Sequence, residues 1–74
     1  MRDGGGTIGP ASRVSARIKA LRLKRRLTQA ELAKEAGLSR EYLTRLETGR
    51  HVPTISVLDR IATALNVSLA TLVK

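Results

Sequence analysis

Two helix starts lie close together in the middle of this chain, and their spacing constrains its fold more than any other feature. Thr28 and Glu31 have the separation of a capping box, which predicts that a helix begins directly after Thr28. Gly37 ends this helix, because glycine takes a positive φ at little cost. Ser39 then caps a second helix, which runs from Arg40 to Thr48. The sequence therefore predicts two short helices joined by a tight turn.

The apolar residues explain why two such short helices would pack together. The first of them has a narrow face of small residues, formed by Leu32, Ala33 and Ala36. Ala33 and Gly37 leave room for a second helix to cross closely. On the second helix Leu43 and Leu46 share one side, because residues three apart are neighbours on a helix.

The opposite side of the second helix is polar. At 100° per residue, the side chains that face away from the leucines, with the two on the flanks last, are Glu41, Thr44, Arg45, Thr48, Arg40 and Tyr42. Arg, Glu and Thr side chains can hydrogen-bond the edges of DNA bases. The alternative interpretation is an ordinary amphipathic hairpin with a solvated face.

The composition allows one small domain with an aliphatic core. The chain has 74 residues, 42% of them hydrophobic, but no Phe, Trp or Cys. Lack of Cys excludes disulfides and thiolate metal sites and is consistent with a cytoplasmic protein. No apolar stretch reaches the length of a membrane span. Fourteen Lys and Arg against six Asp and Glu give a formal charge of +8, which favours a polyanionic partner.

No sequence motif indicates a catalytic or cofactor site. Gly4, Gly5 and Gly6 lack the strand, Lys and Ser or Thr of a phosphate-binding loop. His51 is the single histidine, and without a second His, a Cys or an acidic pair we expect it to be solvent-exposed rather than a metal ligand. The sequence predicts no enzyme, no metal and no other cofactor.

Residues 13–73 resemble the helix-turn-helix domain of the lambdoid phage repressor and Cro proteins, the XRE family of bacterial regulators. The matching features, in chain order, are Leu27, the TQAELA run from Thr28 to Ala33, Gly37, Leu43, Leu46, Glu47, Gly49, Pro53 and the helix end from Ala64 to Ser68. The resemblance implies an all-α, compact five-helix domain in which helices 2 and 3 form the helix-turn-helix.

The resemblance also implies a sequence-specific DNA-binding transcriptional regulator, a repressor that inserts helix 3 into the major groove of an inverted-repeat operator as a homodimer. The residues that match the family's base contacts, with the secondary candidates last, are Arg40, Glu41, Arg45, Ser39, Tyr42 and Thr44. Those that match its contacts to the DNA backbone are Gln29, Thr28, Thr48 and Arg50. Without DNA, Glu41 and Arg45 have the order and spacing of a helical ion pair.

The resemblance also concerns three charged residues outside the polar face of the second helix. It implies a partly buried ion pair between Arg22 and Glu47, which would join the first and third helices. Arg26 departs from the family, which usually has Gly there. Either this arginine adopts a left-handed conformation, at a cost of ~1 kcal/mol, or the first helix ends differently.

The start of the chain divides into a tail and a first helix. Residues 1–11 are rich in Gly without periodicity, and we expect them to be disordered. Residues 12–74 form the predicted DNA-binding domain. Ser12 is expected to cap a first helix from Arg13 to about Arg25.

Two helices follow the helix-turn-helix. Thr54 is predicted to cap the fourth, from Ile55 to Leu65, and Asn66 to end it, because Asn tolerates a positive φ. Ser68 caps a last short helix. Hydrophobic residues of these two helices are the predicted dimer interface. The core side of the fourth helix is predicted to be Ile55, Leu58, Ile61, Ala62 and Leu65.

Other function classes fit parts of the pattern. An antitoxin would bind a toxin protein and repress its own operon with the same fold. A restriction–modification controller protein is a further alternative among DNA-binding proteins. A basic amphipathic membrane binder is the remaining one; we expect double-stranded DNA rather than a membrane as the partner, in the cytoplasm of a bacterium or phage-infected cell, at the nucleoid.

Overall fold

In the computed structural model, the described part of the chain comprises residues 10–73. Within those residues there are five helices and no strand, which confirms the all-α, five-helix architecture. Among them, none combines the length and the apolar character that crossing a membrane requires. The helices are α1 (Pro10–Lys24), α2 (Gln29–Ala36), α3 (Arg40–Glu47), α4 (Ile55–Leu65) and α5 (Leu69–Val73).

Side-chain caps set the starts of the central helices as the sequence predicts. Thr28 forms the full capping box: its hydroxyl accepts from the Glu31 amide at 3.0 Å, and its own amide donates to the Glu31 carboxylate at 2.8 Å. The Ser39 hydroxyl accepts from the amide of Tyr42 at 3.0 Å. Thr54 caps α4 in the same way. Each cap satisfies an amide that lacks a partner within its helix.

Left-handed residues follow four of the helices, and after α3 this residue is Gly49, at φ 76°. Gly37 closes α2 at φ 70° and Asn66 closes α4 at φ 59°, both as expected. Arg26 follows α1 at φ 58°, so the strained alternative is the one that occurs. Prediction and structure differ by one residue at the end of α3, where Thr48 is the cap rather than the last helical residue.

The first helix begins earlier than predicted. It starts at Pro10, so Ser12 lies within the helix instead of capping it. Proline suits a first turn because its fixed φ is already helical and its missing N–H would have no partner there. Of the expected disordered tail, residues 10 and 11 are therefore helical, and residues 1–9 lie outside the described residues.

One aliphatic core joins the five helices. Its central side chains have almost no exposed surface, and α1 packs on α3, α4 and α5 while α2 packs on α3 and α4. Ile55 was expected in this core but is 65% exposed. It shares the helical stripe of the buried α4 residues, yet its own side chain at the start of α4 is left uncovered by the described helices. The core residues include Ile18, Leu32, Leu43, Leu46, Leu58, Ile61, Leu65 and Leu72.

Arginines bind the carbonyl ends of helices to distant elements, which the sequence did not predict. Arg60 on α4 donates to the carbonyl of Ala36 at 2.9 Å and to that of Gly37. Arg25 donates to the Leu65 carbonyl at 2.7 Å. The space beside Gly37 is therefore filled by Arg60 rather than by α3, and a Cβ at Gly37 would lie 2.6 Å from the Arg60 guanidinium.

Candidate nucleic-acid interface

The outer face of α3, defined as Arg40, Glu41, Thr44 and Arg45, lines an open depression on the surface of the domain. Arg40, Glu41 and Arg45 are exposed, and Thr44 is half-buried. Leu43 and Leu46, on the other side of α3, are fully buried. The orientation of α3 predicted from the 100° rotation is therefore the one that occurs.

The charged side chains of this outer face have no partner in the described part of the chain. The expected pair between Glu41 and Arg45 does not form there, where the buried pair of Arg22 and Glu47 is the salt bridge present. An ion pair between exposed side chains contributes little stability, because water already solvates each charge well. The guanidinium groups of Arg40 and Arg45 and the carboxylate of Glu41 are thus open to an external partner.

A buried ion pair fixes α3 to α1. Arg22 Nε donates to Glu47 Oε2 at 2.7 Å, and Arg22 Nη2 donates to Glu47 Oε1 at 3.0 Å. The residues are 7% and 9% exposed, so the two charges are paired away from water. Arg22 Nη1 also donates to the carbonyl of Leu27 at 2.8 Å, which holds the turn that follows α1. Such two-point pairs restrict geometry more than a single contact does.

Gln29 extends this buried pair to the outer face of α3. Its Nε2 donates to Glu47 Oε1 at 3.1 Å, and its Oε1 accepts from the hydroxyl of Thr44 at 3.0 Å. The same hydroxyl lies 3.0 Å from the carbonyl of Arg40. A chain of hydrogen bonds therefore runs from Arg22 in the core to the outer face of α3. The family resemblance implies a contact between Gln29 and DNA, whereas these internal contacts were not predicted.

The secondary candidates for base contact differ in how many contacts they already make within the domain. The ring of Tyr42 is half-buried against the core and meets the ring of His51 edge to face, with centroids 4.9 Å apart. The hydroxyl of Ser39 accepts from an amide and keeps its proton for another acceptor. His51 is exposed as expected, and its contact with Tyr42 was not predicted.

The candidates for contact with the DNA backbone lie around α2 and after α3. Thr28 uses its hydroxyl oxygen as a cap, which leaves the hydroxyl proton available. The amides of Gln29 and Ala30 have no acceptor among the described residues, so the start of α2 presents unpaired N–H groups. Thr48 instead donates its hydroxyl to the carbonyl of Arg45 at 3.0 Å. Arg50 is exposed in the following loop.

The chain is similar in sequence to a known family and to two phage proteins. The profile of the helix-turn-helix family matches residues 18–72. The immunity repressor protein of Bacillus phage phi105 is 45% identical over 60 residues, which cover 81% of this chain and 42% of that protein. The ImmF control region 10 kDa protein of the same phage is 42% identical over 57 residues, which cover 77% of this chain and 63% of that protein. The chain thus spans less than two thirds of either relative.

The fold also has a close counterpart among solved structures. The restriction-modification controller protein C.AhdI from Aeromonas hydrophila superposes with a TM-score of 0.82 at 29% identity, over 84% of this chain and 94% of that one. Family profile, sequence identity and fold agree over the segment that holds α2 and α3. The chain belongs to the XRE-type helix-turn-helix family.

Proposed function

We propose that this protein is a sequence-specific DNA-binding transcriptional regulator that represses its target genes. The observation that carries the proposal is the outer face of α3, where Arg40, Glu41 and Arg45 are exposed and unpaired on a helix held rigidly from behind. An α-helix of this kind fits the major groove, where each base pair presents its own donors and acceptors. Family membership and the name of the phi105 immunity repressor support the same function.

Within this proposal the outer face of α3 reads the bases. Arg40 or Arg45 would donate two hydrogen bonds to guanine, and Glu41 would accept from cytosine. Ser39, with its free hydroxyl proton, and Thr44 are placed for secondary contacts. Tyr42 contributes chiefly the exposed part of its ring.

The DNA backbone would be held at the start of α2. Unpaired amides at a helix start attract phosphate, and the amides of Gln29 and Ala30 are unpaired. The Gln29 side chain keeps one N–H beyond its bond to Glu47. Thr28 can donate its hydroxyl proton, and Arg50 supplies a positive charge beyond α3. Thr48 is the weakest of these contacts, since its hydroxyl already binds the α3 backbone.

A homodimer completes the proposal, because one such domain reads few base pairs. Val52, in the loop before α4, and Ile55, the first residue of α4, are 72% and 65% exposed. Covering large apolar side chains with a second protomer stabilises the dimer, because it removes apolar surface from water. Two domains joined there would address half-sites about 34 Å apart on one side of the duplex. We place such a dimer in the cytoplasm, at the nucleoid.

A selection from a random pool of duplexes tests the proposed function. The protein, immobilised at about 0.15 M salt, should enrich an inverted repeat over successive rounds. A matched Arg40→Ala, Arg45→Ala double variant should enrich no such repeat while keeping its helical circular dichroism. A pool that stays random with the unmodified protein would overturn sequence-specific binding.

A controller of restriction–modification genes is the second candidate, favoured by the superposition that covers 94% of C.AhdI. It differs from the first in which genes are regulated, not in how DNA is bound. Finding the selected repeat upstream of adjacent methyltransferase and endonuclease genes would favour it. An antitoxin remains the alternative outside this class, and copurification of a second small protein would favour it.

A further inference from the structure

We propose that Arg26 is an additional contact to a DNA phosphate, at the edge of the interface next to the start of α2. The inference rests on the proposed function and deepens it by adding a residue that none of the matching family positions includes. Four observations lead to it: the backbone conformation of Arg26, its lack of an internal partner, its place in the chain and the contrasting role of Arg25.

Arg26 occupies a backbone conformation that disfavours its own side chain. Its φ is 58°, where a Cβ crowds the following carbonyl and a non-glycine residue loses ~1 kcal/mol. The other left-handed residues that follow helices are Gly37, Gly49 and Asn66, which are the types that tolerate this region best. Arginine at this position therefore lowers stability unless its side chain compensates.

No compensation is present within the described chain. The amide of Arg26 donates to the Leu23 carbonyl at 2.9 Å, a bond that any residue could make. The side chain is exposed and has neither a hydrogen bond nor a salt bridge there. Its neighbour Arg25 differs, since its guanidinium donates to the Leu65 carbonyl and supports the end of α4. Arg25 therefore binds within the domain, whereas the guanidinium of Arg26 can bind an external anion.

The position of Arg26 places an external anion beside the proposed interface. It lies two residues before Thr28, whose neighbouring amides at the start of α2 are unpaired. Three residues of backbone span at most about 11 Å, so the Arg26 Cα is within that distance of the Gln29 Cα. An extended arginine can then reach the phosphate held at the start of α2, or the next one along the strand. Lys24 adds a second exposed charge nearby.

Arg26→Gly separates the two effects, because glycine removes the charge and also relieves the strained φ. We expect this variant to unfold at a higher temperature than the unmodified protein yet to bind DNA more weakly. The loss of one phosphate contact should make the plot of log K against log salt less steep by about one. It should also weaken binding about five-fold at 0.15 M salt. The loss should be equal for the selected repeat and for a random duplex, since phosphates carry no sequence information.

Three further variants serve as controls for Arg26→Gly. Asn66→Gly changes the other non-glycine left-handed residue, which ends α4, and should leave DNA binding unchanged. Lys34→Ala removes one exposed charge at the opposite end of α2 and should change the salt slope by much less than Arg26→Gly. Arg26→Lys keeps the charge and should retain most of the slope.

The outcomes separate the inference from the function on which it rests. If the unmodified protein binds neither duplex, the proposed function fails and the phosphate contact fails with it. If the unmodified protein binds the selected repeat but Arg26→Gly keeps its affinity and salt slope, the contact at Arg26 alone is wrong. A change of base preference in Arg26→Gly would likewise overturn the assignment to phosphate.

Discussion

The hydroxyl of Thr44 donates to the side-chain oxygen of Gln29 at 3.0 Å, which ties the outer face of α3 to the first residue of α2. Gln29 in turn donates to Glu47, whose carboxylate is paired with Arg22. The two helices of the helix-turn-helix are thus joined by polar contacts as well as by their leucines. A groove-reading helix held in this way enters DNA with little loss of conformational entropy.

Glu47→Gln should be strongly destabilising, because it leaves the Arg22 charge buried without its counter-charge. Breaking one side of such a pair costs ~3–5 kcal/mol in the free energy of unfolding. Urea unfolding followed by circular dichroism measures it. Glu41→Gln, the same change at an exposed site, should stay within about 0.5 kcal/mol of the unmodified protein. Similar effects of the two substitutions would show that the buried pair does not stabilise the domain.

Gly37→Ala should be destabilising for two reasons that a double-mutant cycle can separate. The positive φ of Gly37 costs alanine ~1 kcal/mol. The new Cβ also displaces Arg60, whose bonds to the carbonyls of Ala36 and Gly37 are each worth about 1 kcal/mol or more. In an Arg60→Met background the φ cost alone should remain. An equal cost in both backgrounds would contradict the contact between Gly37 and Arg60.

Arg45→Ala and Arg50→Ala should weaken DNA binding in different ways. Arg45 lies on the outer face of α3, so its loss should relax the preference at one base pair, by ~1–3 kcal/mol. Arg50 lies in the loop after α3, so its loss should weaken all duplexes alike and lower the salt slope by about one. Fluorescence anisotropy with single-base variants of the selected repeat measures both. Uniform weakening by both substitutions would show that Arg45 does not read a base.

Ile55→Lys should weaken self-association, because it places a charge in the exposed apolar surface at the start of α4. Analytical ultracentrifugation should show a larger dissociation constant for the dimer, by about ten-fold or more, since burying an unpaired charge costs well over 1.4 kcal/mol. Leu23→Lys is the matched control, as Leu23 is 56% exposed on α1. If Leu23→Lys dissociates the dimer and Ile55→Lys does not, the interface lies on α1.

Local signals made most helix boundaries predictable from the sequence. A cap such as Thr28 or Ser39 acts on an amide three residues away, so its partner is already fixed by the chain. The same holds for Gly37 and Asn66, whose backbone preference is a property of the residue itself. The predicted start of α1 after Ser12 was wrong, because Pro10, two residues earlier, also suits the first turn of a helix.

Long-range contacts were not predictable in the same way. Arg60 and Arg25 bind carbonyls 24 and 40 residues away, which become neighbours when the helices pack. Periodicity gave Ile55 the correct angle on α4, but whether another helix covers that turn depends on the whole fold. The pair of Arg22 and Glu47 was expected from family resemblance, whereas the link through Gln29 to Thr44 emerged in the structure.

An NMR titration of the labelled protein with the selected duplex tests the central claim most directly, because it reports which residues meet DNA. The largest shifts are predicted at Arg40, Glu41, Thr44 and Arg45, with the amides at the start of α2 next. Lys34 and Asp59, on another surface, should shift little. Large shifts at Lys34 and Asp59 with an unchanged outer face of α3 would contradict the proposal that α3 enters the groove.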